Sequence, residues 1–251
     1  MTGVSALTGR LLRSTLRDDL PFAVIAPVGF FVVFNLALRA VIDTGPMSYA
    51  QYLLPVVIIQ VAFLGALTTV DRAAQDQRSG WGLRLRTLPI PALAPLAARM
   101  LYCLVRGAVA MLAAIGAGYL FGFRMAGGPR DTATFVVLVL LFTLAISLGA
   151  DAIGTRLAAT AIAEEGTASQ LLLVPQIVLA MVSTGFAPLA AFPQWLHPFV
   201  RYQPVSPLTE TLRALTTGRP DTPDLALTLA WCLGLLVVFG TVAVRMQRRA
   251  G

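Results

Sequence analysis

"TATFVVLVLLFTLAISLGA", residues 132–150, is a run of 19 residues without one charged side chain. Its apolar residues are continuous rather than alternating, so it does not read as a strand with one wet face. As a helix it would rise about 28 Å at 1.5 Å per residue, close to the roughly 30 Å hydrocarbon layer of a bilayer. Lipid offers no partner to a backbone N–H or C=O, and a helix satisfies these groups within the segment. The run therefore predicts a membrane-spanning helix.

Uncharged runs recur on both sides of it, at Leu20–Leu38, Tyr49–Val70, Gly107–Phe123, Gly166–Val200 and Leu225–Val244. The whole chain of 251 residues is 57% hydrophobic and 12% charged, against about 45–50% and about 25% in soluble domains. These features predict an all-α membrane protein with six transmembrane helices in one domain spanning 1–251. The expected spans are 20–42, 49–70, 97–123, 132–155, 167–188 and 224–244. The first exceeds the roughly 7–15-residue apolar core of a secretory signal and has no evident small-residue cleavage site after it, so it reads as a retained helix.

All 19 basic residues are arginine and the net charge is +7. They lie between apolar runs rather than in a patch, which fits membrane topology and not nucleic-acid binding. Arg10, Arg13, Arg17, Arg72, Arg78, Arg84, Arg86, Arg99, Arg156, Arg245, Arg248 and Arg249 fall on the side of the termini. Arg39, Arg124, Arg130, Arg201, Arg213 and Arg219 fall on the other. This asymmetry predicts cytoplasmic termini. Within 1–18, Val4, Leu7 and Leu11 share one helical face and Arg10, Arg13 and Arg17 the opposite one. That is the pattern of an interfacial helix on anionic lipid, with a disordered leader as the alternative.

The fifth run ends in "PQWLHPFVRYQPVSP", residues 193–207. Pro188, Pro193, Pro198 and Pro204 interrupt any helix. Trp195, Phe199 and Tyr202 suit a membrane boundary. Ser206 is an expected N-cap, Pro207 a first helical residue, Leu208, Leu212 and Leu215 a shared face, and Gly218 a stop. Residues 189–219 are therefore expected to form a re-entrant extracellular helical cap, either bracing two spans or lining an exit.

Gly185-Phe-Ala-Pro188, Pro193-Gln-Trp195-Leu-His-Pro198 and Gln203-Pro204-Val-Ser206, with Arg213 downstream, resemble the carboxy-terminal signature of ABC-2 type permeases. The similarity is to the daunorubicin-resistance-like branch, the DrrB and DrrC type membrane subunits. It implies an exporter of a hydrophobic or amphipathic substrate, a drug or a complex lipid, in a bacterial cytoplasmic membrane. It further implies a second permease subunit, identical or related, and ATP-binding cassette ATPase subunits that carry ATP and Mg.

The loop 71–94 has its own reading. Ser79 can cap a short helix with Trp81, Leu85 and Leu88 on one face and Arg84 opposite, stopped by Pro89 and Pro91. A Trp beside arginines suits a protein contact; insertion of Trp81 into lipid headgroups is the alternative. In the resembled permeases this loop holds the coupling helix that docks on the ATPase. The match runs over Arg78-Ser-Gly80 and Leu88-Pro89-Ile90, while Asp71-Arg72-Ala73-Ala74 fits a wider superfamily motif loosely. A P-loop needs a lysine on the terminal phosphates, and the chain has none. No cofactor is expected in this chain.

Ionisable groups at membrane depth need a reason. Arg106 and Asp151 lie at similar distances from the inner ends of spans three and four, so a pair is expected, with snorkelling of Arg106 as the alternative. Asn35, Gln60 and Gln176 either line a path or hydrogen-bond between helices. Gly118 and Gly122 make a GxxxG packing pair, and Pro175 is expected to kink span five. Glu164 and Glu165 read as solvated. Cys103 and Cys232 read as buried small hydrophobes, and His197 lacks companion metal ligands. No nucleophile–base constellation emerges. The competing class is an ion-coupled secondary transporter, which needs a carboxylate nearer the bilayer midplane than Asp151.

Overall fold

The computed structural model describes residues 19–40, 47–79, 93–158, 167–219 and 222–249. Eight α-helices and no strand occur among them. They are α1 (Asp19–Leu38), α2 (Tyr49–Arg78), α3 (Ala94–Leu120), α4 (Pro129–Leu157), α5 (Thr167–Met181), α6 (His197–Tyr202), α7 (Val205–Thr217) and α8 (Thr222–Arg249). Five are long and apolar enough to cross a membrane: α1, α2, α3, α4 and Asp224–Gln247 of α8. The expected interfacial helix with Arg10, Arg13 and Arg17 lies outside the described residues. So do Gly80, Trp81, Arg84, Leu85, Leu88 and Pro89 of the expected coupling helix, and Glu164 and Glu165.

Helix α2 is the axis of the fold and the most enclosed crossing. It packs chiefly on α4, α4 packs on α8, and α1 packs on α3. Phe31, Leu54, Val57, Phe123, Phe135, Leu138, Leu208 and Leu212 fill the half nearer α7. The other half holds two smaller clusters, Ala66, Val70, Ala74 and Ala150, and Leu96, Met100, Leu148, Ala152 and Ala243. Ile25 and Val33 of α1 and Leu233 and Val237 of α8 face outward. In a bilayer such apolar faces meet lipid or a neighbouring helix without the penalty they would carry in water.

Close approach of α2 and α4 depends on Gly154. A Cβ there would stand 2.3 Å from the Val70 carbonyl oxygen and 3.0 Å from Ala73 Cβ. Backbone cannot rotate away as a side-chain tip can, so Gly154→Ala is expected to lower stability by about 1–3 kcal/mol. Gly116, with open space around its own Cβ direction, is the control. Equal melting temperatures for the two alanine variants in detergent would refute this.

Several local expectations are corrected. Helix α2 runs eight residues past the expected boundary at 70, so Arg72, Asp76 and Arg78 are helical rather than in a loop. Ser79 is the C-cap of α2, its hydroxyl donating to the Asp76 carbonyl at 3.2 Å, and the helix it was expected to start lies outside the described residues. Helix α5 stops at Met181, where 188 was expected. Its 15 residues rise about 22 Å, short of a full hydrocarbon layer. The chain turns because the Ser183 hydroxyl donates to Ala180 O at 2.6 Å and accepts from Gly185 N at 3.2 Å.

Ser206 is not an N-cap, the position being held by Pro204. Helix α7 already begins at Val205, and the Ser206 hydroxyl accepts the Thr184 amide at 3.1 Å, tying α7 to the turn after α5. Of the GxxxG pair only Gly118 packs between helices, against Leu54 and Phe123; Gly122 lies past the end of α3 at φ 94°. It supplies the left-handed residue of the helix stop, with Phe123 N donating to Gly118 O at 2.9 Å.

The expected cap helix is otherwise present. Leu208, Leu212 and Leu215 are buried together, and Gly218, at φ 69°, ends α7, with Arg219 N donating to Ala214 O at 3.0 Å. Two 3-10 turns, Leu189–Ala191 and Gln194–Leu196, and the six-residue α6 connect α5 to α7.

Candidate functional site

Three features stand out along the bundle: an ionic collar at the end holding Asp19 and Arg78, a polar cavity above it, and an arginine clasp beneath the cap at the far end.

The collar joins five helices. Arg72 of α2 pairs with Asp19 of α1, which also accepts from the Tyr102 hydroxyl of α3 at 3.0 Å. The Arg72 guanidinium lies 4.7 Å from the Tyr102 ring centroid. Arg99 of α3 forms a two-pronged contact with Asp151 of α4, Nε to Oδ1 at 2.7 Å and Nη2 to Oδ2 at 3.2 Å. Its remaining nitrogen lies 3.5 Å from Asp76 Oδ2. Asp71 accepts the Ser169 amide at 3.0 Å, in the first turn of α5, where the helix leaves its N–H groups unpaired.

Asp151 is thus engaged by Arg99, and the expected Arg106–Asp151 pair is absent. Helices α3 and α4 run antiparallel, with Arg99 opposite Asp151 and Gly107 against Thr143. That register sets Arg106 seven residues, about 10 Å, deeper than the carboxylate. Counting inward from the ends of uncharged runs put the two residues level; the helices extend unequally beyond those runs.

Arg106 instead enters a cavity of 260 Å³ between α2, α3 and α4. The residue is buried, with 8% of its surface exposed. Its Nε has no hydrogen-bond partner among the described residues. Gly65 of α2 provides the space, because a Cβ there would stand 2.8 Å from Arg106 Nη1. The lining is mixed: Val61, Ala62 and Ala110 are apolar, Thr68, Thr69, Thr143 and Ser147 bring hydroxyls, and Arg72, Asp76 and Arg99 of the collar border the same cavity. Thr68, Thr69 and Thr143 donate their hydroxyl protons to carbonyls of their own helices at 2.8–2.9 Å. No carboxylate pairs with Arg106 among the described residues, so its unpartnered Nε is left to water or to a group from outside the bundle.

At the opposite end Arg213 of α7 is almost fully enclosed. Its guanidinium donates to Tyr52 O at 3.1 Å, Thr184 O at 3.0 Å and Gly185 O at 2.8 Å, and pairs with Glu210 at 2.9 Å. It stacks 3.5 Å from the Tyr52 ring centroid. Gln203 donates to the Val182 carbonyl. Pro188, Leu189, Arg201 and Arg213 border a wider groove of 640 Å³ with Tyr52.

Trp195, Phe199 and Tyr202 are exposed on the cap, and the Trp231 indole of α8 donates to Tyr202 O at 2.8 Å. Pro193 and Pro204 precede helical turns, and Pro198 stands in the first turn of α6. His197 hydrogen-bonds Phe192 O at 2.9 Å.

The intramembrane polar candidates do not converge on one site. Asn35 is buried within α1, and Gln60 is partly buried on α2. Gln176 borders a separate, mainly apolar cavity of 220 Å³ with Phe63, Pro175 and Phe239. Only Arg106 lines the polar cavity, and Asp151 belongs to the collar. Sequence reading missed Arg99 as the partner of Asp151, Asp19 as the partner of Arg72, and Gly65 as the Arg106 seat. The one available signal was charge near the same end of successive spans, which gives the side but not the partner.

Several apolar helices long enough to cross a membrane, around a polar, arginine-bearing interior, define a multi-pass membrane protein. The chain belongs to the ABC-2 transporter family: the family model described as "ABC-2 family transporter protein" matches residues 23–245. It is 27% identical over 246 residues to the "Probable doxorubicin resistance ABC transporter permease protein DrrC" of Mycobacterium tuberculosis, covering 97% of this chain and 87% of that one. Against the "Doxorubicin resistance ABC transporter permease protein DrrB" of the same organism it is 30% identical over 225 residues, covering 86% and 76%. Against the "Daunorubicin resistance ABC transporter permease protein DrrB1" of Streptomyces coeruleorubidus it is 28% identical over 225 residues, covering 90% and 78%.

Proposed function

We propose that this chain is the permease subunit of an ATP-driven exporter that carries a hydrophobic or amphipathic compound, drug-like or lipid-like, out across a bacterial cytoplasmic membrane. Family membership across 23–245 is the observation that carries the reading, and the names of the relatives favour drug-like cargo. Two permease subunits enclose the path, with the outward apolar faces of α1 and α8 available to lipid or to the second copy. Helix α5 and the turn at 182–188 together make the sixth crossing, leaving both termini cytoplasmic. ATP and Mg are bound by partner ATPase subunits, which dock on Arg78 at the end of α2 and on the segment carrying Gly80, Trp81, Arg84, Leu85, Leu88 and Pro89.

Geometry supports this division of labour. The polar cavity and the ionic collar stand at the end of the bundle from which that loop leaves α2. Asp151, the buried carboxylate among the described residues, sits near one end of the bundle and is held by Arg99, which counts against an ion-coupled carrier.

In vesicles holding the chain and its native ATPase, Trp81→Ala with Arg84→Glu is expected to reduce ATP-dependent doxorubicin efflux at least about tenfold, because an interface anchor and its rim charge are both lost. The amount of inserted chain should stay unchanged. Undiminished efflux by the variant, or efflux without any ATPase, would rule the proposal out.

A further inference from the structure

We propose that Arg106 anchors the oxyanion head group of an amphiphile that enters the inner cavity. The inference rests on the permease reading and adds the substrate class. Arg106 is buried, its Nε is unpartnered among the described residues, and it borders the cavity together with Gly65. The nearer carboxylates are committed elsewhere: Asp19 to Arg72 and Tyr102, and Asp151 and Asp76 to Arg99.

A guanidinium offers a fork of N–H donors shaped for phosphate or carboxylate, and a desolvated one holds such a group through charge-assisted bonds. Size limits the occupant too. The cavity's 260 Å³ falls just below the roughly 300–1,000 Å³ of sites that enclose a drug-sized molecule. It therefore takes a head group, while Val61, Ala62 and Ala110 meet the first carbons of a tail that continues toward lipid or the second subunit.

An unpaired buried cation lowers the stability of the empty protein. Arg106→Gln should accordingly melt no lower than wild type in the absence of ligand, which separates a binding role from a structural one. Gly65→Ala keeps the charge but fills the space the guanidinium uses.

The test is calorimetric titration of the full-length chain alone, in phosphatidylcholine nanodiscs, with hexyl phosphate, inorganic phosphate and hexanol. Saturable binding of hexyl phosphate, weakened at least about tenfold in both Arg106→Gln and Gly65→Ala and partly kept in Arg106→Lys, is the expected result. Inorganic phosphate binding as tightly as hexyl phosphate, with the same dependence on Arg106, would overturn the amphiphile assignment in favour of a free anion. Hexanol binding as tightly as hexyl phosphate, or unchanged hexyl phosphate binding in both variants, would overturn the site altogether. Should Arg106→Gln fail to insert, Gly65→Ala decides the matter. No ATPase or nucleotide is present, so failure here leaves the exporter reading standing, and failure of ATP-driven efflux leaves this site untouched.

Discussion

Arg213→Ala should open the cap over α5–α7 and lower stability by about 3–5 kcal/mol, the range for stripping one member from a buried, hydrogen-bonded charge network. A single guanidinium gathers three carbonyls, from α2 and from the turn after α5, and stacks on Tyr52. Alanine leaves the buried Gly185 oxygen without that donor, while Thr184 O keeps only the Tyr52 hydroxyl at 3.3 Å. Each buried acceptor so abandoned costs about 1–3 kcal/mol. The exposed Glu210 oxygen contributes little, since it is 41% exposed and water replaces its partner.

Arg213→Lys should recover only a small part, because one ammonium cannot reproduce a planar fork reaching several acceptors. Thermal unfolding in detergent measures the loss. Labelling of a cysteine placed at Ser183, which is fully buried in the native protein, measures the opening. A melting temperature and labelling rate equal to those of the unmodified chain would show that the cap is held by its leucines alone.

The second large effect concerns the collar. Asp151→Leu strands the enclosed Arg99 guanidinium, and a loss of about 3–5 kcal/mol is expected. Arg99→Leu should cost comparably by isolating Asp151, which has 5% side-chain exposure. The double leucine variant should regain most of either loss, since two apolar side chains pack in place of two charges. Asp76, 35% exposed, keeps access to water when Arg99 is gone. Strictly additive losses in the double variant, read by unfolding at fixed detergent concentration, would mean that the two charges act independently. Arg106→Asp should not rescue Asp151→Arg, because the register keeps these positions two helical turns apart.

How well the chain could be read depended on which physical rule governed each residue. Span existence follows from solvent alone. A run such as 132–150 has no stable state in water and only one backbone arrangement in lipid, so α4 was legible within about three residues at each end. Local stops were also legible where they need a special backbone: Gly218 ends α7 because glycine adopts φ 69° at little cost. Leu208, Leu212 and Leu215 followed from helical spacing.

Partnerships were not legible, since they depend on register between distant segments. Ser206 has the chemistry of an N-cap, yet its hydroxyl meets the Thr184 amide, 22 residues away. Arg106 and Asp151 have the chemistry of a pair, yet Arg99 reaches the carboxylate first. Continuation of α2 to Arg78 was hidden by the polar composition of its last two turns, where tertiary contacts from Asp19, Arg99 and Ser169 hold a segment that hydropathy ends at Val70.

The sequence by itself determined that this is an all-helical membrane protein, where its crossings begin, and which arginines flank them, because transfer between water and hydrocarbon acts on each segment separately. Helix packing settled which charges neutralise each other, which arginine closes the cap, and which one faces a cavity without a carboxylate partner among the described residues. Those outcomes turn on helix register and on close approaches at Gly65 and Gly154, and a shift of one helical turn would reassign every partner without changing a residue.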